Sequence, residues 1–420
     1  MLPMRLAGFV SELRDFGKLR FIILRNSEGF YQITLKKEEV SKEVFAKFDE
    51  LTKESVIIAE GRKRKSEKAR NGWELIPNEI ILLSKAEQPV PLDISGKIES
   101  GLDVRLDWRS IDLRTLRNQA IFRIEASLVR YMREFLDDHG FLEVFTPCIM
   151  GTPSEGGAEV FPLLYFDKQA FLRQDPQLHR QLTILGGFEK IYDLGPNWRA
   201  EPSHTTRHVT EYHSCAVEMA YIENEYDVMK VEEELVRYAI SKLGKEMKED
   251  LKLLGVKVKK PGKFPILEFP KVYNILEKLG KKFEIGEDYD RESEVLLWKH
   301  VKEKYGSDFF FVNKFPFTVK PFYVMKDDET YARSVDLLYK GLELSSGGQR
   351  EHRYGELMKN VKEKGLDPKG VEWFTKFFKY GAPPHGGFAL GIERLVMQLL
   401  GLQNIREACL FPRDVERVTP

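Results

Sequence analysis

Residues 198–212 read Trp-Arg-Ala-Glu-Pro-Ser-His-Thr-Thr-Arg-His-Val-Thr-Glu-Tyr. A strand-like run, KIYDLGP, precedes them at 190–196, and another, CAVEMAYI, follows at 215–222. The stretch reads as strand, polar loop and strand. Arg199 and Glu201 stand at the entry to its loop, with Arg207 and His208 further along. Arginine offers a rigid planar fork of donors suited to carboxylate or phosphate. The arginines of this stretch therefore read as candidates for an anion site.

Working outward, Ile121, Ile124, Leu128, Tyr131, Met132 and Phe135 recur at helical spacing. Gly140 ends that helix, and FLEVFTP follows as a strand stopping at Pro147. Strand-like AFLR and LYKGLELSSGG and helices at 226–243 and 391–401 complete the region. Strands and helices alternate without a βαβ rhythm, which predicts an α+β fold on a mostly antiparallel sheet. Residues 4–85 differ. RLAGFV, RFIILR, FYQITL, SVIIAEGR and WELIPNEIILL are five short apolar or alternating runs, as in a small OB-fold β-barrel. The expected layout is a barrel at 1–86, a hinge or linker at 87–118 and a second domain at 119–420. The Lys/Glu-rich stretch of about 223–330 reads as an insertion or lid.

Composition excludes several classes. With 420 residues, 42% hydrophobic and 31% charged, the chain is globular and too long for one ordinary core. No apolar run is long enough to span a membrane. The N-terminus meets charge too early for a secretory signal. Cys148, Cys215 and Cys409 are far apart, which argues against a disulfide framework or a cysteine zinc site and fits a reducing cytoplasm. Lys+Arg and Asp+Glu each total 66, so any nucleic-acid contact must be a local patch. Arg62, Lys63, Arg64 and Lys65, with Lys68 and Arg70, form one. There is no P-loop, Rossmann glycine fingerprint or HExxH, so a nucleotide site must rely on arginines.

The chemistry concentrates in the helix with FLEVFTP, in 198–212, in 341–351 and in 386–394. Arg199, Arg207 and Arg394 are candidates to hold phosphates. Glu343 and Ser346 offer hard oxygens for Mg²⁺. Glycines 386, 387 and 391 permit close approach of backbone or nucleotide, and Tyr212 can stack on adenine. Attack by an already ionised carboxylate on a phosphate needs no general base.

Together these segments resemble the three signature motifs of class II aminoacyl-tRNA synthetases. SSGGQREH, PPHGGF and NIREACLFPRD are similar to the archaeal aspartyl branch. The resemblance implies an OB-fold anticodon-binding domain and a catalytic domain on an antiparallel sheet that forms a homodimer through the Pro147 region. It implies ATP, Mg²⁺, L-aspartate and tRNA as substrates and partners. It places Arg199 on the α-phosphate and the substrate carboxylate, Glu201 on the adenine amino group, Arg207 and His208 on phosphates, and Arg394 on the γ-phosphate. Glu343 and Ser346 become magnesium ligands, with Ser346 also beside the amino acid. Glu155 and Gln177 become contacts to the substrate ammonium, and Arg350 the grip on its side-chain carboxylate. On the barrel, Phe21 would stack on an anticodon base, and Gln32 and Glu60 would read base edges. Lys68 matches enzymes that discriminate between tRNAs, whereas Ser11 stands where those enzymes carry Trp.

The amino-acid pocket departs from the family pattern. Where relatives read QSPQLxK, this chain has Gln174-Asp175-Pro176-Gln177-Leu178-His179-Arg180. A family aspartate is here Ala216, two residues before Glu218-Met219. One reading has the carboxylate moved from 216 to 175 for the substrate ammonium, with Arg180 facing the substrate carboxylate. The rival is a pocket retuned for another acid, in a paralogue that adenylates without tRNA. An asparaginyl enzyme fits less well with a cation at 180, and a non-catalytic RNA-binding protein less well with the full arginine and carboxylate set.

Overall fold

The computed structural model describes residues 4–96, 98, 100–152 and 159–420, and its contacts divide the chain into two compact units, one up to 119 with Pro420 and one of 120–419. In the first, β1 (Met4–Asp15), β2 (Leu19–Asn26), β3 (Gly29–Lys36), β4 (Val56–Lys65) and β5 (Trp73–Ser84) close a barrel in the order β1-β2-β3-β5-β4. Alternate residues point inward, so Ile22, Leu24, Ile33, Leu35, Ile57 and Leu75 lose all exposure. This is the expected OB-fold.

Residues 87–118, expected as a hinge, fall within this first unit. They hold two short helices, Leu102–Asp107 and Arg109–Asp112. Buried Glu54 accepts from Arg25 at 2.8 Å and from Arg114 at 3.1 Å, while Arg114 lies 4.4 Å over the Phe9 ring. Ion pairing holds this segment to the barrel. Such pairing leaves no hydrophobic period for sequence reading to find.

The second unit is built on β6 (Leu142–Glu143), β7 (Ile149–Met150), β8 (Pro162–Tyr165), β9 (Lys168–Leu172), β10 (Lys190–Trp198), β11 (Glu211–Ala220), β12 (Ile266–Glu268), β13 (Phe309–Asn313), β14 (Ser334–Tyr339), β15 (Leu342–Arg350) and β16 (His385–Gly391). Eight of these form one sheet in the order β12-β13-β14-β15-β16-β11-β10-β6, with β7, β9 and β8 in a small sheet apart. Only the β12/β13 and β10/β6 pairs are parallel, so the sheet is mostly antiparallel, as predicted. FLEVFTP gives just the two-residue β6, and Phe145 beyond it is 89% exposed. The helix Leu116–Asp138 packs Leu128 and Met132 against Val217 and Leu390 of the sheet.

The stretch 223–330 is no simple insertion. Its first helix, Glu225–Glu246, buries Val228, Leu235, Val236 and Ala239 in the central cluster, and β12 and β13 extend the main sheet. Its Lys and Glu residues cover the outer side of the helix and mask the inner stripe in a composition count. On that inner side Glu232 is fully buried and accepts from the Ser345 hydroxyl. Burial pushes its carboxyl up to about 8. An acid raised in the folded state stabilises below the unfolded value, and that stability is lost as pH climbs to the folded value. Each pH unit across this window should cost about 1.4 kcal/mol, or about 2–4 °C of melting temperature. Glu232→Gln is expected to remove that slope from melting curves taken between pH 5 and 8. An unchanged slope would mean that Glu232 is ionised in the folded protein.

Candidate active site

The two strand-like runs around residues 198–212 are β10 and β11, which pair as an antiparallel hairpin from Lys190–Met219 to Trp198–Glu211. With β15, β16 and the Val319–Val324 segment it borders a cavity of about 530 Å³. Arg199, Glu201, Arg207, His208 and Tyr212 all line it, as do Glu343 and Arg394 from across the sheet. The loop is internally tied. Thr205 Oγ1 lies 2.7 Å from His208 Nδ1, and His208 Nε2 lies 3.8 Å from Glu201. Burial lowers the His208 and Arg207 pKa values, the latter despite Glu294 at 3.3 Å.

Glu343 and Ser346 share the cavity for a reason that their spacing hides. Residues three apart on a regular strand face opposite sides. Here Leu337 pairs with Ser345 but Leu338 pairs with Glu343, so Leu344 is an extra residue in β15. This bulge turns both oxygen donors the same way. Asp336, on the neighbouring strand opposite Ser346, was not anticipated from the sequence. Burial pushes its carboxyl up to about 6, with the charge of Glu343 adding to the rise, although Lys320 sits 3.0 Å away. Burial and Glu343 likewise push Glu294 up to about 7. Glu343, Asp336 and the Ser346 hydroxyl are hard oxygen donors, the chemistry that Mg²⁺ takes. Among the described residues no set of three or more His, Cys, Asp or Glu is placed to hold a metal ion. Arg394 Nη1 donates to the Glu343 carbonyl at 3.1 Å, so the outer arginine and the acidic strand are coupled.

The inner end of the cavity is a chain of charges. Arg350 donates to both oxygens of Glu218, at 3.0 and 3.2 Å, to Gln177 Oε1 at 3.0 Å and to the Gly387 carbonyl at 3.0 Å. Gln177 Nε2 donates to Glu218 at 3.0 Å. Gly387 is required here. A Cβ on it would lie 1.9 Å from the Val217 carbonyl and 2.5 Å from Glu218 Oε2. Gly387 thus makes room for the ion pair and for strand packing; the expectation of close nucleotide approach suits Gly391, which does line the cavity. Asp175 lines the cavity too. Burial works to raise its pKa, but Arg180 foremost, with Arg199 and Arg350, holds it below the ordinary value. Arg180, expected to face the substrate carboxylate, is placed differently from Asp175. It does not line the cavity and has no exposure, and its Nη1 and Nη2 go to Asp175 at 2.9 and 2.6 Å. Glu155 lies outside the described residues; Glu159, four residues on, lines the cavity.

On the barrel, Phe21 is partly exposed on β2, edge-on to Phe16, which is itself 68% exposed and was missed in the sequence. Gln32 donates to Glu74 at 2.9 Å, and Arg64 grips Glu74 at 2.7 and 2.9 Å. Glu60 makes a different contact. It sits on β4 paired to β1, 3.1 Å from Arg5. Lys68 is exposed. The glutamate beside Gln32 is therefore Glu74.

A phosphate-ready arginine set, acidic strand donors and a closed barrel are the parts of an enzyme that adenylates an acid and handles RNA. Residues 101–415 match the family of class II tRNA synthetases (D, K and N), and residues 4–83 match the OB-fold nucleic acid binding domain. The chain belongs to the class II tRNA synthetases. It is 46% identical over 419 residues to the aspartate–tRNA(Asp) ligase of Pyrococcus horikoshii, covering 99% of this chain and 96% of that protein. It is 43% identical to the aspartate–tRNA(Asp/Asn) ligase of Aeropyrum pernix, covering 99% and 95%. Among solved structures, asparaginyl-tRNA synthetase from Pyrococcus horikoshii with asparaginyl-adenylate superposes with a TM-score of 0.92 at 34% identity, covering 100% and 96%. No helix among the described residues is long and apolar enough to cross a membrane.

Proposed function

We propose that this chain activates L-aspartate with ATP to aspartyl-adenylate and transfers it to tRNA(Asp), with tRNA(Asn) as the second acceptor to be tested. The observation that carries the reading is one cavity with two chemically distinct ends. One end gathers Arg199, Arg207 and Arg394 for phosphates, and the other holds Arg350 and Asp175 for an amino acid that carries a second carboxylate. Glu201 and Tyr212 are assigned to adenine. Glu343 and Ser346, with Asp336, would hold Mg²⁺, which supplies charge neutralisation on the phosphates. Arg199 would bridge the attacking carboxylate and the α-phosphate, so the protein's contribution is alignment and charge stabilisation. Gln177 acts less as a direct ammonium ligand than as a hinge pin, because its Oε1 already accepts from two arginines. On the barrel, Phe21 and Phe16 would stack on bases, Gln32 and Glu74 would read edges, and Lys68 would meet phosphate.

Phe145 is 89% exposed beside Pro147, and we assign a second copy of the chain as its cover, in a homodimer. The test is amino-acid-dependent ATP–pyrophosphate exchange without tRNA, run on protein whose mass is measured by light scattering. Exchange with aspartate, at least about 100-fold above asparagine and glutamate, is expected from a site built around a carboxylate. A preparation weighing two chains is expected as well. Exchange with another acid, or none, would sink the substrate assignment; a one-chain mass would sink the dimer alone.

A further inference from the structure

Arg180 is a cation at the amino-acid end that the cavity does not reach. It has no exposure, and its two terminal nitrogens make a parallel fork with both oxygens of Asp175, at 2.9 and 2.6 Å. Such a fork fixes the plane of a carboxylate as well as its charge. A third bond, from Arg180 Nη2 to Gln177 Oε1 at 2.8 Å, ties it to the oxygen that also receives Arg350. Asp175, by contrast, lines the cavity.

The surrounding charges are largely committed. Glu218 is fully buried on Arg350. Position 216, in step along β11 with cavity-lining Tyr212 and Ser214, is an alanine and offers no charge. Reaching a ligand would require Arg180 to abandon three hydrogen bonds and leave Asp175 without its fork. Arg350 Nη1, in contrast, takes no part in the bonds to Glu218, Gln177 and Gly387.

We infer that Arg180 is a positioning residue: it aims the Asp175 carboxylate at the substrate ammonium and leaves the substrate's side-chain carboxylate to Arg350. The inference rests on the aspartate-activating reading above and divides the labour within that pocket. Its consequence is that positions 175 and 180 recognise the ammonium as one unit, while selectivity for a second carboxylate lies at 350.

The test uses succinate, which is aspartate without its ammonium group, as a competitive inhibitor of exchange by the full-length enzyme. Asp175→Asn and Arg180→Met should each raise the KM for aspartate by about tenfold or more, the loss expected for one charge-assisted hydrogen bond. The succinate inhibition constant should stay level or fall, because succinate has no ammonium to lose. The double variant Asp175→Asn/Arg180→Met removes both charges, leaves no buried ion unbalanced, and should be no worse than either single variant. Arg180→Lys, which keeps the charge without the fork, should recover part of the KM. A succinate constant that rises tenfold in Arg180→Met but not in Asp175→Asn would show that Arg180 reads a carboxylate directly, and would overturn the inference. Additive KM effects in the double variant would overturn it too. Wild-type enzyme that exchanges with some other acid, and not with aspartate, would fail the underlying reading first, which keeps the two failures apart.

Discussion

Arg199→Ala is expected to lower the aspartate-dependent exchange rate by about 10²–10³-fold or more, mainly in kcat, since removing one preorganised donor from a developing oxyanion costs about 2.7–4 kcal/mol. Arg199 leaves the end of β10, where its backbone N–H donates to the Thr210 carbonyl at 2.9 Å, so the base of the hairpin presents the side chain to the cavity. The effect belongs to the transition state. The α-phosphate gains negative charge as the carboxylate attacks, and an arginine already in place need not reorganise to meet it. Arg199→Lys should recover little, because a point charge cannot span two oxygens as a planar fork does. The readout is kcat at matched folding, checked by the melting temperature of the variant. A loss of less than tenfold in kcat would remove Arg199 from the reacting centre.

The second large effect is at Arg350, through stability as well as activity. Arg350 is 4% exposed and Glu218 is fully buried. Arg350→Met would leave the Glu218 carboxylate buried with only Gln177 to donate to it. Breaking one side of a buried pair costs about 3–5 kcal/mol, whereas neutralising both sides is often tolerated. Urea melts of Arg350→Met should show that loss, and Arg350→Met/Glu218→Gln should regain most of it. Aspartate activation should stay lost in both, because neither retains the cation proposed to meet the substrate's side chain. Recovery of exchange in the double variant would mean that Arg350 serves the fold and not the substrate.

Much of this was readable in one dimension. The barrel follows from period-two burial in five short runs, and the first long helix follows from Ile121 to Phe135 at helical spacing. The candidate phosphate arginines follow from a loop between two strand-like runs. These are local signals: each side chain's direction is set by its own element, so periodicity reports it.

What the tertiary structure decided was which residues meet. Glu60 and Glu74 look alike in the sequence. The fold separates them: Glu74, on β5, which joins β3 through Ile33 and Leu75, receives Gln32, whereas Glu60, on β4, pairs across to Arg5 of β1. Glu343 and Ser346 should face opposite sides, and a bulge at Leu344 brings them together beside Asp336. Arg180 reads as a ligand until its fork closes on Asp175. Each of these is a long-range or irregular contact, fixed by pairing register and burial, and one-dimensional patterning carries neither. The sequence by itself determined the class of chemistry and the elements that bear it; the fold alone decided which charges are spent on one another and which are left for substrate.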